Sequence, residues 1–504
     1  MGASSATLPT LRRRAAQRAR ARPPGVRPKP LPIAPDAWAR ARLGWRAAHA
    51  LATERPEISA RFGLSGEQSR ALWAVGVFCA GALAYAPQTT ATMVFAALGA
   101  MALVGSGLRL TAAVSPSRPP RALAPRRDAP VYTVIAPLKD EAHMLAGLVQ
   151  ALKRLRYPAH RLDIILAIDE DDAATLFAAR AYARDPQIRV LACPLIGPRT
   201  KPRACNYALQ FARGRYTTIY DAEDRPHPDQ LLAAVDAFER GAPTLGVLQA
   251  PLLYHNSEET WLTRQFALEY AVQFLGLLPL FARWGWPFPL GGTSNHFRTD
   301  VLRGVGGWDP YNVTEDADLG FRLAAAGWRA DVIAPATWEE AAPTLDLWLK
   351  QRTRWLKGFI QTFAVQTRSL GPLRQQRGLA GPLALALSVF GPVLAGPLHA
   401  AVLSAGLVWL CVRLGGASPP DPPNWAVAMG AAGYAAALGA GVIVALRNGF
   451  GALAPHVLLT PIYWVLQGWA CALAVIDLAR RPFFWAKTPH RAASAGPQTG
   501  PKAA

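Results

Sequence analysis

Apolar and polar positions divide the chain into blocks of different period. Residues 1–35 are rich in Arg and Pro and hold too few apolar positions to build a core, so disorder is expected there. Residues 36–68 have the spacing of a short helix with a polar face, and 1–68 as a whole read as a basic, largely disordered N-terminal segment. Two apolar runs follow, Leu72–Ala86 and Met93–Ala113, separated by PQTTAT. Each approaches the roughly 20 residues that a membrane-spanning helix needs, the first being short. Residues 69–113 are therefore read as two such helices.

The pattern changes at residue 130. VYTVIAPL, LDIILAID, QIRVLAC, RYTTIYDA and LGVLQAPLLY are short apolar runs rich in β-branched residues. Between them stand helical patterns, HMLAGLVQALKRL, AATLFAARAYA, KPRACNYALQFA and PDQLLAAVDAFERG. Strands alternating with helices predict an α/β, Rossmann-like unit on a parallel sheet, with ligands at the carboxyl ends of the strands.

Trp261–Trp286 is amphipathic and aromatic but holds Arg264, Glu269 and Arg283, which predicts a helix lying at a membrane interface. Leu345–Leu370 has the same mixed character. Apolar stretches at 380–412, 425–446 and 453–477 predict a C-terminal transmembrane region over 379–478, followed by a basic tail, 479–504. Three single spans would leave that tail outside. Either 380–412 is a hairpin broken near GPVLAGP, or a later stretch does not cross fully.

Charge sharpens this picture. The chain carries 54 Lys and Arg against 33 Asp and Glu, a net charge of +21, with 51% hydrophobic residues. Yet only 17% of its residues are charged, below the ~25% of soluble domains. Residues 1–70 alone hold 14 Lys and Arg against four Asp and Glu. This balance excludes a disordered chain and an ordinary soluble enzyme. It fits a multi-pass membrane protein that keeps its positive charge on the cytosolic side. No aromatic residues interleave with the N-terminal arginines, so no nucleic-acid partner is expected. No apolar stretch follows early enough for a signal peptide. Cys79, Cys193, Cys205, Cys411 and Cys471 lack paired or metal-ligand spacing and read as free thiols.

The sparse acids cluster. Asp169 ends one apolar run and is followed by Glu170, Asp171 and Asp172. Asp221 ends another, with Glu223 and Asp224 behind it, and NVTEDADLGFRL supplies Glu315, Asp316 and Asp318. Neighbouring acids repel unless a cation answers them. Each cluster taken alone is also what a solvated turn or helix start looks like, but three together point to a site. Two carboxylates two residues apart can hold Mg2+ or Mn2+, which neutralises a departing diphosphate, while a further carboxylate accepts a proton from an attacking hydroxyl. Lys201 and Arg203 can meet phosphate or merely begin a basic helix. In QRTRW, Arg354 can engage diphosphate and Trp355 can stack on a sugar, or the segment is an interfacial helix with an aromatic anchor.

Taken in order, IAPLKDE (135–141), LAIDEDD (166–172), KPRACN (201–206), YDAED (220–224), TED (314–316) and QRTRW (351–355) resemble the processive, cellulose-synthase-like membrane glycosyltransferases of family 2. The resemblance covers about residues 70–490. It implies a GT-A-like catalytic domain over 128–343, an interfacial helix over 344–372, and inverting hexosyl transfer from a nucleotide sugar, usually a UDP-sugar. The product would be a growing β-glycan, an exopolysaccharide, exported through the protein's own channel, with a periplasmic export partner in prospect. By this resemblance Asp316, with Glu315, is the catalytic base, and Asp221 and Glu223 hold the metal. Glu141, Asp169, Lys201, Asp221, Gln351, Arg354 and Trp355 bind donor and acceptor. Two features depart from the family pattern. Asp221-Ala222-Glu223-Asp224 replaces D-x-D, leaving Glu223 or Asp224 as second ligand, and Asp169-Glu170-Asp171 replaces D-D-G.

Gly291 and Gly292 can let a sugar chain approach closely. Trp284, Trp286 and Trp308 can line the acceptor path or anchor the interface. FFWAKTPH (483–490) is similar to the loop that gates nucleotide entry in this family. Two other readings compete with the polymerase: transfer of a single sugar to a lipid carrier, and an inactive transporter or scaffold. The intact acids argue against the last.

Overall fold

The computed structural model describes residues 36–116, 123, 128–485 and 487. The disorder expected over 1–35 and most of the basic tail lie outside these residues. Helix α1, Ala37–Glu54, begins where the Asp36 side chain accepts from Ala39 N at 2.7 Å. Its buried face is a stripe of small residues, Gly44, Ala47, Ala48 and Ala52, with Leu51. The Asn206 amide donates to Ala47 O at 3.1 Å, and Asp309 accepts from Ala60 N at 2.6 Å. Residues 37–62 thus dock on the α/β unit. The short helix expected within 36–68 is thus present, and it is packed against the α/β unit rather than part of a disordered segment, because its small side chains allow close approach.

Helices α2, Gly66–Tyr85, and α3, Pro87–Val114, follow. Then come β1 (Tyr132–Leu138), α4 (Leu145–Lys153), β2 (Leu162–Asp169), α5 (Ala173–Ala179), β3 (Ile188–Cys193), α6 (Lys201–Leu209), β4 (Tyr216–Ile219), β5 (Arg225–Pro226), α7 (Gln230–Arg240), β6 (Leu245–Gln249) and β7 (Leu252–Tyr254). The chain continues through α8 (Trp261–Trp284), β8 (Asn295–Arg298), α9 (Thr299–Gly304), α10 (Glu315–Ala325), β9 (Arg329–Val332) and β10 (Thr337–Glu339). It closes with α11 (Leu345–Thr367), α12 (Gly371–Arg377), α13 (Ala380–Leu414), α14 (Asn424–Arg447) and α15 (Thr460–Arg480).

The fold is α/β, GT-A-like and Rossmann-like, with a helical region attached. Its main sheet runs β3-β2-β1-β4-β8-β6-β9. Strands β1 to β4 are parallel, with Tyr132 in register with both Leu162 and Tyr216. Every residue of β1 and β2 is buried, as expected of strands covered by helices on both faces. The sheet is mixed rather than all parallel, because β8 is inserted antiparallel between β4 and β6. LGVLQAPLLY, expected as one strand, divides at Pro251. Proline has no N–H for the ladder, and β7 leaves for a small sheet ordered β5-β10-β7.

Among the described residues five helices are long and apolar enough to cross a membrane: Pro87–Val114, Trp261–Trp284, Ala380–Leu414, Asn424–Arg447 and Gly451–Arg480. The 20-residue α2 is not one of them. The expected interfacial helix α8 has 61% of its apolar window buried, against 6% for α3. It is an internal helix, with Gly276 facing Ala112 of α3 and Val444 of α14. The GPVLAGP stretch does not break the chain: α13 continues through Pro397. At Gly396 it packs backbone to backbone against Gly468 of α15, where a side chain would stand 2.7 Å from Gly468 N. The hairpin alternative is therefore not realised.

Candidate active site

Parallel strands end on one edge of a sheet, and here the acids end with them. Glu141 follows β1, Asp169 closes β2, and Asp221 and Glu223 follow β4. The first turn of α6 brings Lys201, the start of α10 brings Glu315 and Asp316, and α11 brings Gln351, Arg354 and Trp355. All ten of these residues line one cavity of about 340 Å3.

Lys201 joins the acidic edge to the glycine turn. Its Nζ lies 2.6 Å from Asp221 Oδ1 and donates to Gly292 O at 2.7 Å. Burial pulls this ammonium down, but Asp221 and Glu315 more than offset it. Arg203, expected alongside it, plays another part. It is buried, paired with Asp169 and donating to Pro194 O at 2.5 Å, so it is not offered to phosphate. Asp169 itself is 5% exposed.

The turn after β4 separates its acids. Asp224 faces inward, where Oδ2 accepts from Asp221 N at 2.7 Å and from the Thr293 hydroxyl. Glu223 faces the cavity instead. Burial, then Asp221, push the Glu223 carboxyl up. Asp221 and Glu223 thus offer two hard oxygen donors to one space, a set that suits Mg2+ or Mn2+ completed by phosphate and water. Among the described residues no group of three or more His, Cys, Asp or Glu is arranged to hold a metal ion.

Glu315, buried, and Asp316, half-buried, are adjacent acids. Burial raises both carboxyls, and Asp316 raises Glu315 further. Asp316 Oδ1 accepts from Ala317 N at 2.8 Å. Its Oδ2 would stand 3.4 Å from a side chain at Gly292, so the glycine turn lies directly beside it. Helix α11 holds the turn from below. Asn312 donates to the Thr362 hydroxyl at 3.0 Å, and Gln361 accepts from Val313 N at 3.1 Å. From the same helix Gln351 Oε1 and Arg354 Nε are buried without a hydrogen-bond partner among the described residues. Trp355 packs against Phe266 and Tyr270, with ring centroids 5.6 and 6.0 Å away.

Several groups escaped the sequence reading. Glu339 of β10 lines the cavity, its carboxyl pushed well up by burial and then by Asp224, Glu223 and Asp221. Arg352 forms a two-pronged pair with Glu269, at 2.9 and 2.6 Å, and donates to the Tyr463 hydroxyl at 2.8 Å. FFWAKTPH was the one signal for the tail. Lys487 lies 2.9 Å from Glu141 Oε1, and the Arg354 guanidinium sits 4.9 Å over the Trp485 ring. Of the tryptophans proposed for an acceptor path, Trp308 is in the core against Phe297, and Trp284 and Trp286 pack on each other outside the cavity.

This arrangement can bind a polyanion through cations and a metal, and can take a proton at Asp316. Comparison with known proteins gives the chemistry a family. "Beta-monoglucosyldiacylglycerol synthase" of Trichormus variabilis is 27% identical over 237 residues, 46% of this chain and 50% of that protein. "Probable glucomannan 4-beta-mannosyltransferase 3" of Oryza sativa is 31% identical over 153 residues, 29% of this chain and 27% of that protein. The chain spans about half the length of the first curated relatives it matches. Among solved structures, the mannosyltransferase PcManGT of Pyrobaculum calidifontis, in complex with GDP-Man and Mn2+, aligns with 75% of this chain and 98% of its own. Its TM-score is 0.44 at 20% identity. The family model "Glycosyl transferase family 2" matches residues 133–297, and "Glycosyl transferase family group 2" matches residues 216–476, more than half of the chain. The chain belongs to glycosyl transferase family group 2.

Proposed function

We propose that the chain transfers a single sugar, with inversion, from a nucleotide sugar to the hydroxyl of a lipid acceptor that enters from the bilayer. One observation carries this reading. The cavity that begins at Asp169, Asp221 and Asp316 continues to Ala437 and Gly441 of α14 and Thr460 of α15, between helices apolar enough to span a membrane. The relative whose name specifies monoglucosyldiacylglycerol supports a lipid acceptor.

The acceptor hydroxyl attacks the anomeric carbon, its proton passes to Asp316, and the nucleoside diphosphate leaves. Asp221 and Glu223 would hold Mg2+ or Mn2+, which when bound neutralises charge on the leaving diphosphate. Lys201, Arg354 and Gln351 engage the diphosphate. Trp355 and Tyr270 offer faces to a sugar. Glu141 and Asp169 border the nucleoside end. Lys–Arg-rich flanks of the apolar helices support a cytosolic catalytic domain on a plasma membrane.

A second reading is processive β-glycan synthesis with export through the apolar helices. The QRTRW segment and the relative named for glucomannan mannosyl transfer favour it. The deciding experiment offers UDP- and GDP-sugars to the purified protein in lipid nanodiscs and analyses the product. A lipid bearing one sugar is expected; a polymer would replace the first reading by the second. Asp316→Asn should lower transfer about 10³-fold, within the range for loss of a general base, with donor binding retained. An unchanged rate would remove Asp316 from the mechanism.

A further inference from the structure

Arg109 stands five residues before the end of α3, inside the apolar run expected to span the membrane, and its side chain lines the far end of the cavity. It has no hydrogen bond or ion pair among the described residues. An ionisable group at membrane depth normally faces the bundle interior and pairs with something. The acid whose charge acts on it is Glu269 of α8, and Glu269 is already engaged. Both its oxygens accept from Arg352, at 2.9 and 2.6 Å, one also accepts from the Tyr463 hydroxyl at 2.6 Å, and Gln467 approaches at 3.4 Å. The other polar residues at this end, Gln265, Gln273, Ser388 and Thr460, are neutral. With one carboxylate and two guanidinium groups, this end of the cavity carries one unanswered positive charge.

We propose that this end is an anion subsite in which Arg109 receives the phosphodiester of an acidic, hydroxyl-bearing lipid acceptor. The inference rests on the lipid-acceptor reading and narrows it, because a neutral diacylglycerol would leave the charge unanswered. Apolar residues lining the same cavity, Leu268 and Val272 of α8 with Ala437 and Gly441 of α14, suit the acyl chain. A guanidinium pairs two-pronged with phosphate, so a planar fork rather than mere charge is required.

The test uses the full-length protein in detergent micelles doped with dioleoyl-phosphatidylglycerol or with dioleoylglycerol, reading retained lipid by native mass spectrometry. The wild type should retain phosphatidylglycerol at least about tenfold better than Arg109→Gln does, with Arg109→Lys between them. Dioleoylglycerol should be retained equally by all three. Unchanged UDP binding and thermal unfolding of Arg109→Gln would show that the fold is intact. Equal retention of phosphatidylglycerol by wild type and Arg109→Gln would overturn the proposal. So would competition by inorganic phosphate as effective as that of the lipid, which would mark a site for a free anion. Release of sugar from nucleotide sugars in the same samples separates the two claims. Loss of that release without loss of lipid discrimination defeats the transferase reading alone.

Discussion

Gly358 of α11 packs against Thr314, so close that a methyl group at position 358 would stand 2.7 Å from Thr314 Cβ. The helix that carries QRTRW therefore seats the turn that carries Asp316. Gly358→Ala should push the two apart. Expected are a loss of about 1–3 kcal/mol in stability, typical of overpacking, and a larger fall in kcat than in donor affinity. Thermal unfolding and steady-state kinetics read these. A variant with full kcat would show that this seat does not position Asp316.

Arg203 and Asp169 form a buried pair, their side chains 2% and 7% exposed. Burial raises the Asp169 carboxyl, and Arg203 pulls against it. Arg203→Met strands a carboxylate and should destabilise the protein by about 3–5 kcal/mol, whereas adding Asp169→Leu should recover much of that. Denaturant unfolding of the single and double variants measures this. If the double variant is no more stable than the single one, the pair is not the source of the loss.

The proton acceptor has to be ionised. Burial raises both Asp316 and Glu315 from their ordinary carboxylate values. A raised base is lost on acidification sooner than an ordinary one, so kcat/KM should fall as pH drops, with its midpoint displaced upward from the ordinary carboxylate value. A pH–rate profile with saturating divalent cation decides it. An acid limb at the ordinary carboxylate value would contradict the burial of the pair in the working enzyme.

Lys487 and Trp485 cover the cavity through Glu141 and Arg354. Lys487→Ala should raise the KM for the donor about tenfold, equivalent to ~1.4 kcal/mol, and leave membrane insertion unchanged. Donor titrations of wild type and variant provide the comparison. An unaltered KM would mean that the tail lies over the site without contributing to it.

Local order made much of this molecule legible in advance. Short β-rich runs alternating with helical patterns specify parallel βα units, and such units place their strand ends, hence Glu141, Asp169 and Asp221, on one edge. Long apolar runs specify α3, α13, α14 and α15 by length and hydropathy. Which neighbour faces the cavity is another matter. Glu223 turns to it and Asp224 away because Thr293, distant in sequence, binds Asp224. Lys201 reaches Asp221 while Arg203, on the same helix, is consumed by Asp169 and Pro194. The amphipathic α8 was legible as a helix, but its burial depends on Ala112 and Val444 meeting Gly276. Glu269, Arg352 and Tyr463 likewise share no local motif. By itself the sequence determined most of the elements, the helices long and apolar enough to cross a membrane and the acids at the strand ends, since these follow from period and composition. Tertiary structure alone decided which charges are spent on one another and which, like Arg109, are left facing the cavity, because that choice depends on partners brought together only by folding.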